Sequence, residues 1–266
     1  MSDKDKSPMG ILFLVVLVDM IGFTIVIPFL TYFVQDLATA DGITDVGSRD
    51  LWVGIVISVY SLAQFIFTPI LGSLSDRMGR RPILMFGLIS NTIFFTVFGL
   101  SGSLTMAVIA RFLAGAGNGN IAVARAYIGD ISEPEQVAKR MGMIGAAFGL
   151  GFMIGPFIGG LLSDPSESFG APFDGQIWID HPYLLPCLFS SALSLISFML
   201  AITRLPESLP EDNRRSSEDS VLKEFGGMFS KIAGVMKLPT VSSLVSINFL
   251  FLMAVSYTHL TLPTKA

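Results

Sequence analysis

Residues 72–82 read Gly72-Ser-Leu-Ser-Asp76-Arg77-Met-Gly79-Arg80-Arg81-Pro82. The stretch sets Asp76, Arg77, Arg80 and Arg81 on a very short link between two long apolar segments, roughly 51–71 and 82–101. In a water-soluble chain such a cluster is an ordinary surface turn. Here each flank is long enough to cross a bilayer, because a hydrocarbon core about 30 Å thick needs about 20 mostly apolar residues. The link is therefore expected to be a tight loop at a membrane surface. Its three arginines choose the surface, since cytoplasmic loops carry the excess of Lys and Arg.

Composition agrees with the flanks. Hydrophobic residues make up 52% of the chain and charged residues only 14%, where soluble domains carry about a quarter; mean hydropathy is +0.67. Six apolar stretches follow one another, at about 9–34, 51–71, 82–101, 104–129, 141–163 and 183–203, and a seventh begins near Val241. With the N-terminus placed in the cytoplasm, the inner segments 1–8, 72–81, 130–140 and 204–240 hold thirteen Lys and Arg. The outer segments 35–50, 102–103 and 164–182 hold Arg49 alone, with eight acids. That asymmetry fixes an inside N-terminus. The first stretch exceeds the 7–15 residues of a signal-peptide core and is read as an uncleaved helix.

Several function classes drop out. The net charge of −4 gives no reason to expect a nucleic-acid partner. Cys187 is the single cysteine, so no intramolecular disulfide can form. His181 and His259 stand apart and form no metal site. No G-x-x-x-x-G-K-[ST] loop is present, so nothing points to ATP hydrolysis. Gly115 to Gly119, GAGNG, lies inside an apolar helix rather than after a strand, and reads as close helix packing through small residues.

The charges within the spans narrow the rest. Asp19 lies in the first stretch, Arg111 and Arg125 in the fourth. A charge at the bilayer centre costs about 2.5–3.5 kcal/mol on the insertion scale, so each should face a polar interior. At 1.5 Å per residue, Asp19 and Arg111 differ in depth by roughly 12 Å, too far for a direct ion pair. Arg111 is expected among polar groups near Thr24. Asp19 is then an acid without a fixed cation, as a reversible proton site requires; the alternative is a carboxyl bonded to nearby backbone or hydroxyl groups. Arg125 is expected to snorkel and pair with Asp130 or Asp76. In the fifth stretch Gly151, Gly155 and Gly159 form a smooth ridge at i, i+4, i+8, and Pro156 frees the carbonyl of Phe152 and bends the helix.

These residues together resemble the N-terminal half of a major facilitator superfamily transporter, of the proton-coupled drug-antiporter branch that includes tetracycline exporters. Gly72, Leu74, Asp76, Arg77, Gly79, Arg80 and Arg81 match the family's loop between the second and third helices. Arg111, Gly115 and Gly119 match its fourth-helix motif, and Gly151, Gly155, Pro156, Gly159 and Gly160 its fifth-helix antiporter signature. The resemblance covers about 9–255. It implies an all-α membrane bundle of two inverted three-helix repeats with a cavity near the midplane. It also implies a relay of Asp76 and Arg77 with Asp130 that gates the conformational cycle, the glycine ridge packing the two halves. Locally, Asp76 is expected to cap the third helix and Pro82 to start it. Tetracycline exporters carry an acid in the third helix, and residues 83–101 hold none; Phe94 falls near its place.

The resulting organisation is a cytoplasmic N-terminus at 1–8, a six-helix bundle at 9–203 and a cytoplasmic linker at 204–240. Leu222, Phe225, Phe229, Ile232 and Met236 suggest an amphipathic helix in that linker. Residues 241–255 read as a shortened seventh helix and 256–266 as a non-native tail, which would make the chain the N-terminal half of a longer protein missing its C-terminal half. The expected function is a multi-pass secondary transporter of the cell membrane, exporting small amphipathic molecules in exchange for protons. Its partners would be that small molecule and the bilayer, with no cofactor beyond the proton gradient, and no enzyme activity. The open alternatives are a proton symporter or uniporter for sugars or organic ions, faintly echoed by Leu205-Pro-Glu-Ser208, and a non-transporting receptor.

Overall fold

The computed structural model describes residues 6–170, 173, 175–214, 227, 234, 236–238, 240–247 and 250. The described part of the bundle is built from helices, and six spans are long and apolar enough to cross a membrane. The first span is α1 (Lys6–Ile25) followed by α2 (Ile27–Ala40), the second α3 (Val46–Met78) and the third α4 (Arg80–Gly99). The fourth is α5 (Leu104–Gly117) with α6 (Asn120–Ile131) and the fifth α7 (Pro134–Leu162). Two short helices, α8 (Pro165–Phe169) and α9 (Gln176–Asp180), lead to α10 (Leu184–Arg204), the sixth span.

Four element boundaries differ from the sequence expectation, each for a physical reason. The first stretch is interrupted at Val26 because Pro28 enters the first turn of α2 without an N–H to continue the ladder. The fourth is interrupted at Asn118–Gly119, where three glycines in five residues leave the helix weakly favoured. α7 starts at Pro134 rather than near 141, since proline is well placed in a first turn. Most consequentially, 72–81 is no loop. α3 continues through Asp76 to Met78, and one residue, Gly79, separates it from α4. Gly79 has φ +105°, a left-handed value that only glycine adopts without strain. At about 1.5 Å per residue the 33-residue α3 is about 50 Å long, so it projects well beyond the hydrocarbon.

The principal helix contacts are α1 with α7, α3 with α5, α4 with α10, α1 with α10, and α4 with α5. Exchange the first span with the fourth, the second with the fifth and the third with the sixth. The contact between spans one and five then becomes that between four and two, one–six becomes four–three, and three–six maps onto itself. Exchanged spans run in opposite directions, so this invariance is what two inverted repeats produce. Without water to drive association, such contacts rest on close backbone approach. A Cβ at Gly115 would collide with the Tyr60 carbonyl, and one at Gly119 would lie 2.8 Å from Leu71.

The glycine ridge faces the same way. Cβ atoms at Gly151, Gly155 and Gly159 would overlap Met20, Thr24 and the Ile25 carbonyl respectively. The ridge is thus used against α1 within this bundle, a contact the sequence did not show. Gly160 meets nothing within 4 Å. Thr24 Oγ1 donates to the Met20 carbonyl (2.7 Å) and to the Gly151 carbonyl (2.9 Å), tying α1 to α7 at the ridge.

Two apolar clusters fill the bundle. One gathers Leu12, Val15, Leu84, Tyr127 and Leu205, the other Ile25, Phe29, Phe98, Ala107 and Cys187. Asp19, Asn91, Asn120, Thr24 and Arg111 are buried polar residues of the bundle interior that join neither.

Residues 217–266 form a separate unit, of which 240–247 are helical, where the seventh helix was expected to begin. Leu222, Phe225, Phe229, Ile232 and the segment 256–266 lie outside the described residues.

Candidate functional site

Asp19 is 1% exposed, and its partners are amides. Asn91 Nδ2 of α4 donates to Asp19 Oδ1 at 2.8 Å, and Asn120 Nδ2, on the first residue of α6, donates to the same oxygen at 3.0 Å. The second oxygen, Oδ2, is buried and has no hydrogen-bond partner. A buried carboxylate without a cation is costly unless its oxygens are satisfied or it takes a proton. One oxygen here is held by two donors, and the other by none. Asp19 therefore has side-chain amide partners from two other spans, where the sequence had weighed backbone or hydroxyl groups.

Arg111 is 4% exposed and does not lie among polar groups near Thr24. Its guanidinium stands 4.9 Å from the Tyr60 ring centroid and 5.0 Å from that of Phe98. Stacking on two aromatic faces is the contact a delocalised, weakly hydrated cation tolerates best. Its Nε and Nη1 have no hydrogen-bond partner.

Beside this layer lies a cavity of about 420 Å³ lined by Met20, Phe23, Tyr60, Gln64, Thr68, Asn118, Gly119, Ile121, Ala122, Arg125, Phe148 and Phe152. Arg125 is an exposed part of that lining, and its expected pairing with Asp130 or Asp76 is not formed. A second cavity of about 290 Å³ shares Phe23 and Tyr60 and includes Arg111. Aromatic walls with a few placed polar groups suit a small amphipathic molecule. Asn118 Nδ2 donates to the Tyr60 hydroxyl at 2.8 Å, and Gln64 Nε2 reaches the Asn118 carbonyl at 3.4 Å. Phe94, at the place of the expected third-helix acid, lines a separate apolar groove with Phe86 and Ile93.

The charged residues of 72–82 assemble at one end of the bundle. Arg80 bridges two of the acids. It pairs with Asp76 one turn back, and its Nε donates to Asp130 Oδ2 at 3.0 Å, while Nη1 donates to Ser75 Oγ at 2.7 Å. Asp76 lies inside α3, and Gly79 holds the N-cap position of α4. The start of α4 is capped by the side chain of Glu207, from the segment after α10. Its Oε1 accepts from the Arg80 N–H at 2.8 Å and its Oε2 from the Arg81 N–H at 3.1 Å. A carboxylate on the unpaired N–H groups of a first turn satisfies donors and complements the helix dipole. Arg81 donates to the Ile202 carbonyl at 2.6 Å, Tyr127 to the Pro206 carbonyl at 2.7 Å, and Ser208 Oγ to Asp130 Oδ2 at 3.0 Å. Gly72 sits inside α3 with open space around it, so it contributes helix surface rather than a turn. Leu205–Ser208 is the strap that joins this end together, a role the sequence did not show. Among the described residues no cluster of three or more His, Cys, Asp or Glu could hold a metal ion.

The model for the Major Facilitator Superfamily matches residues 12–264. The chain belongs to the major facilitator superfamily. It is thus a multi-pass membrane protein of a transporter family rather than an enzyme. It is similar to the class C tetracycline resistance protein of Escherichia coli, 35% identical over 64% of this chain and 41% of that protein. It is also similar to Protein ZINC INDUCED FACILITATOR-LIKE 1 of Arabidopsis thaliana, 33% identical over 72% of this chain and 39% of that protein. The structure of the human organic anion transporter MFSD10 (TETRAN) superposes with a TM-score of 0.68 at 23% identity, covering 85% of this chain and 53% of that one. The chain spans about two-fifths to a half of the length of the curated superfamily members it matches.

Proposed function

We propose that this chain supplies the proton-coupling half of an exporter that exchanges small amphipathic molecules for protons across the cell membrane. The observation that carries this reading is Asp19, a buried carboxyl held by amides rather than a cation, in the helix whose Met20 and Phe23 line the aromatic cavity. A carboxyl so placed can take and release a proton without breaking an ion pair. The tetracycline resistance relatives support drug export, and the apolar setting of Phe94 argues against tetracycline itself. The Lys and Arg distribution supports a cytoplasmic N-terminus, with the Asp76–Arg80–Asp130 network and the Glu207 cap at the inner surface.

The test uses sealed everted vesicles containing the full-length exporter, of which this chain supplies one half, and an imposed pH gradient, with a panel of fluorescent amphipathic dyes. Wild-type protein is expected to drive uphill dye movement that collapses with the gradient. Asp19→Asn should abolish uphill movement while dye binding remains measurable. Undiminished uphill transport by Asp19→Asn would remove Asp19 from the mechanism.

A further inference from the structure

The interruption of the fourth span lies between the acid and the cavity, and it is fastened to both. Asn120, the first residue of α6, donates to Asp19 Oδ1. Two residues earlier, Asn118 has non-helical backbone (φ −93°, ψ 84°). Its side chain holds the Tyr60 hydroxyl on the cavity wall, and its carbonyl accepts from Gln64. Asn118 and Gly119 themselves line the cavity.

Three unpartnered oxygens accompany these bonds: Asp19 Oδ2, Asn120 Oδ1 and Asn118 Oδ1, all on residues at most 3% exposed. The oxygen of Asn120 is pressed against Gly87, whose missing side chain makes its room; a Cβ there would lie 2.7 Å from Asn120 Cγ. While Asp19 is ionised, an amide N–H₂ facing it is the favourable arrangement. Once Oδ2 carries a proton it becomes a donor, and a neutral acid prefers an acceptor. Turning the Asn120 amide over supplies one. Because Asn120 adjoins the interruption, that turn acts on a backbone held more loosely than a continuous helix: Asn118 N–H reaches the Gly115 carbonyl at 3.2 Å and Gly119 N–H the Gly117 carbonyl at 3.3 Å, in place of regular i→i−4 bonds.

We propose that the interrupted fourth span is the coupling element of this protein: protonation of Asp19 reorients Asn120, shifts the Asn118–Gly119 backbone, and thereby releases or secures Tyr60 in the cavity wall. The proposal rests on the reading of Asp19 as a proton site and adds the path by which its state reaches the substrate. Asn120 and Asn118 act as positioning residues. Around Asp19, α4 and α6 present the amides of Asn91 and Asn120, and α3 presents Tyr60; Arg111 of α5 is engaged with Tyr60 and Phe98. A direct electrostatic influence of Asp19 on Tyr60 is therefore the competing account, and it needs no Asn120.

The experiment is a pH titration of the full chain in nanodiscs with two independent signals: the infrared carboxylic-acid band of Asp19, assigned by its loss in Asp19→Asn, and the ring resonance of ¹³C-labelled Tyr60, assigned by its loss in Tyr60→Phe. Both signals of the wild type are expected to change through one shared midpoint. In Asn120→Ala the Asp19 band should still titrate while the Tyr60 inflection disappears, and Asn118→Ala should do the same. Should Asn120→Ala fail to fold, Asn118→Ala, at the far side of the interruption, decides alone. A Tyr60 inflection that persists in the variants, or is absent from the wild type while Asp19 titrates, overturns the relay and leaves the proton-site reading standing. An Asp19 band that never titrates overturns both.

Discussion

Replacing Gly159 by alanine tests the packing of α7 on α1 most directly. The new Cβ would collide with the Ile25 carbonyl oxygen and lie 2.9 Å from its carbon and 3.2 Å from Ile25 Cα. Ordinary contact begins near 3.4 Å, so the carbonyl carbon alone demands a separation of 0.5 Å, and the nearer oxygen demands more. The obstacle is backbone, so no rotamer change relieves it. Moving the helices apart by that amount lengthens the Thr24–Gly151 bond from 2.9 Å toward 3.4 Å, where it is largely lost. Overpacking costs about 1–3 kcal/mol, and a lost hydrogen bond between membrane helices about 0.6 kcal/mol more. At about 2–4 °C per kcal/mol for a chain of this size, the melting temperature in detergent should fall by roughly 3–14 °C. Gly160→Ala is the matched control. Its Cβ meets open space, and alanine is the better helix former by about 1 kcal/mol, so it should melt at or slightly above the wild type. Gly155→Ala lies between, because its first obstacle is the Thr24 hydroxyl; adding Thr24→Ala should recover part of its loss and none of the Gly159→Ala loss. Equal melting of Gly159→Ala and Gly160→Ala would refute this account of the ridge.

Glu207→Gln should lower thermal stability by about 1–2 kcal/mol, the usual scale of a lost helix cap, and speed hydrogen exchange at the Arg80 and Arg81 amides; unchanged exchange there would show that Glu207 is not the cap. Asp76→Ala is expected to abolish transport with normal membrane insertion, and Arg80→Ala to do the same by uncoupling Asp130 as well; a transporting Asp76→Ala would reduce this end to a connector. At the opposite end, Asp45 caps α3, and the Ser48 N–H and hydroxyl hold its carboxyl below the usual value of 3.8. Its contribution is therefore complete above about pH 3.8 and lost as pH falls through the lower folded value, so exchange at the Ser48 amide should rise only on acidification, and not at all in Asp45→Asn. Burial and the neighbouring Asp36 carboxylate push the Tyr183 hydroxyl up to about 12. Its share of stability is thus intact below pH 10 and lost between 10 and 12, and Tyr183→Phe should flatten that alkaline decline in melting temperature.

The spans were legible because twenty apolar residues in a row have few other uses, and the segments between them alternate so sharply in Lys and Arg content. The interruption at Asn118–Gly119 was visible as GAGNG but read as packing, since glycine content alone does not distinguish a close contact from a break; here it is both. What stayed illegible were partners distant in sequence. Nothing local to Asn91 or Asn120 says that both meet Asp19, 72 and 101 residues away, and nothing local to Arg80 says that it reaches Asp130, 50 residues on. Glu207 was hidden for the same reason: a cap usually lies within its own first turn, and this one arrives from another span.

The joint at Gly79 has a mechanical consequence. A connection one residue long stores no slack, so α3 and α4 cannot slide past one another and can only turn about their shared corner. Tyr60 stands 19 residues from that corner, about 28 Å along the helix. A turn of about 10° at Gly79 carries Tyr60 sideways by about 5 Å, enough to open or close a cavity wall. With the start of α4 held by Glu207, the long second span pivots on a single glycine, and the bonds of Arg80 to Ser75 and Asp76 across that corner set how stiff the pivot is.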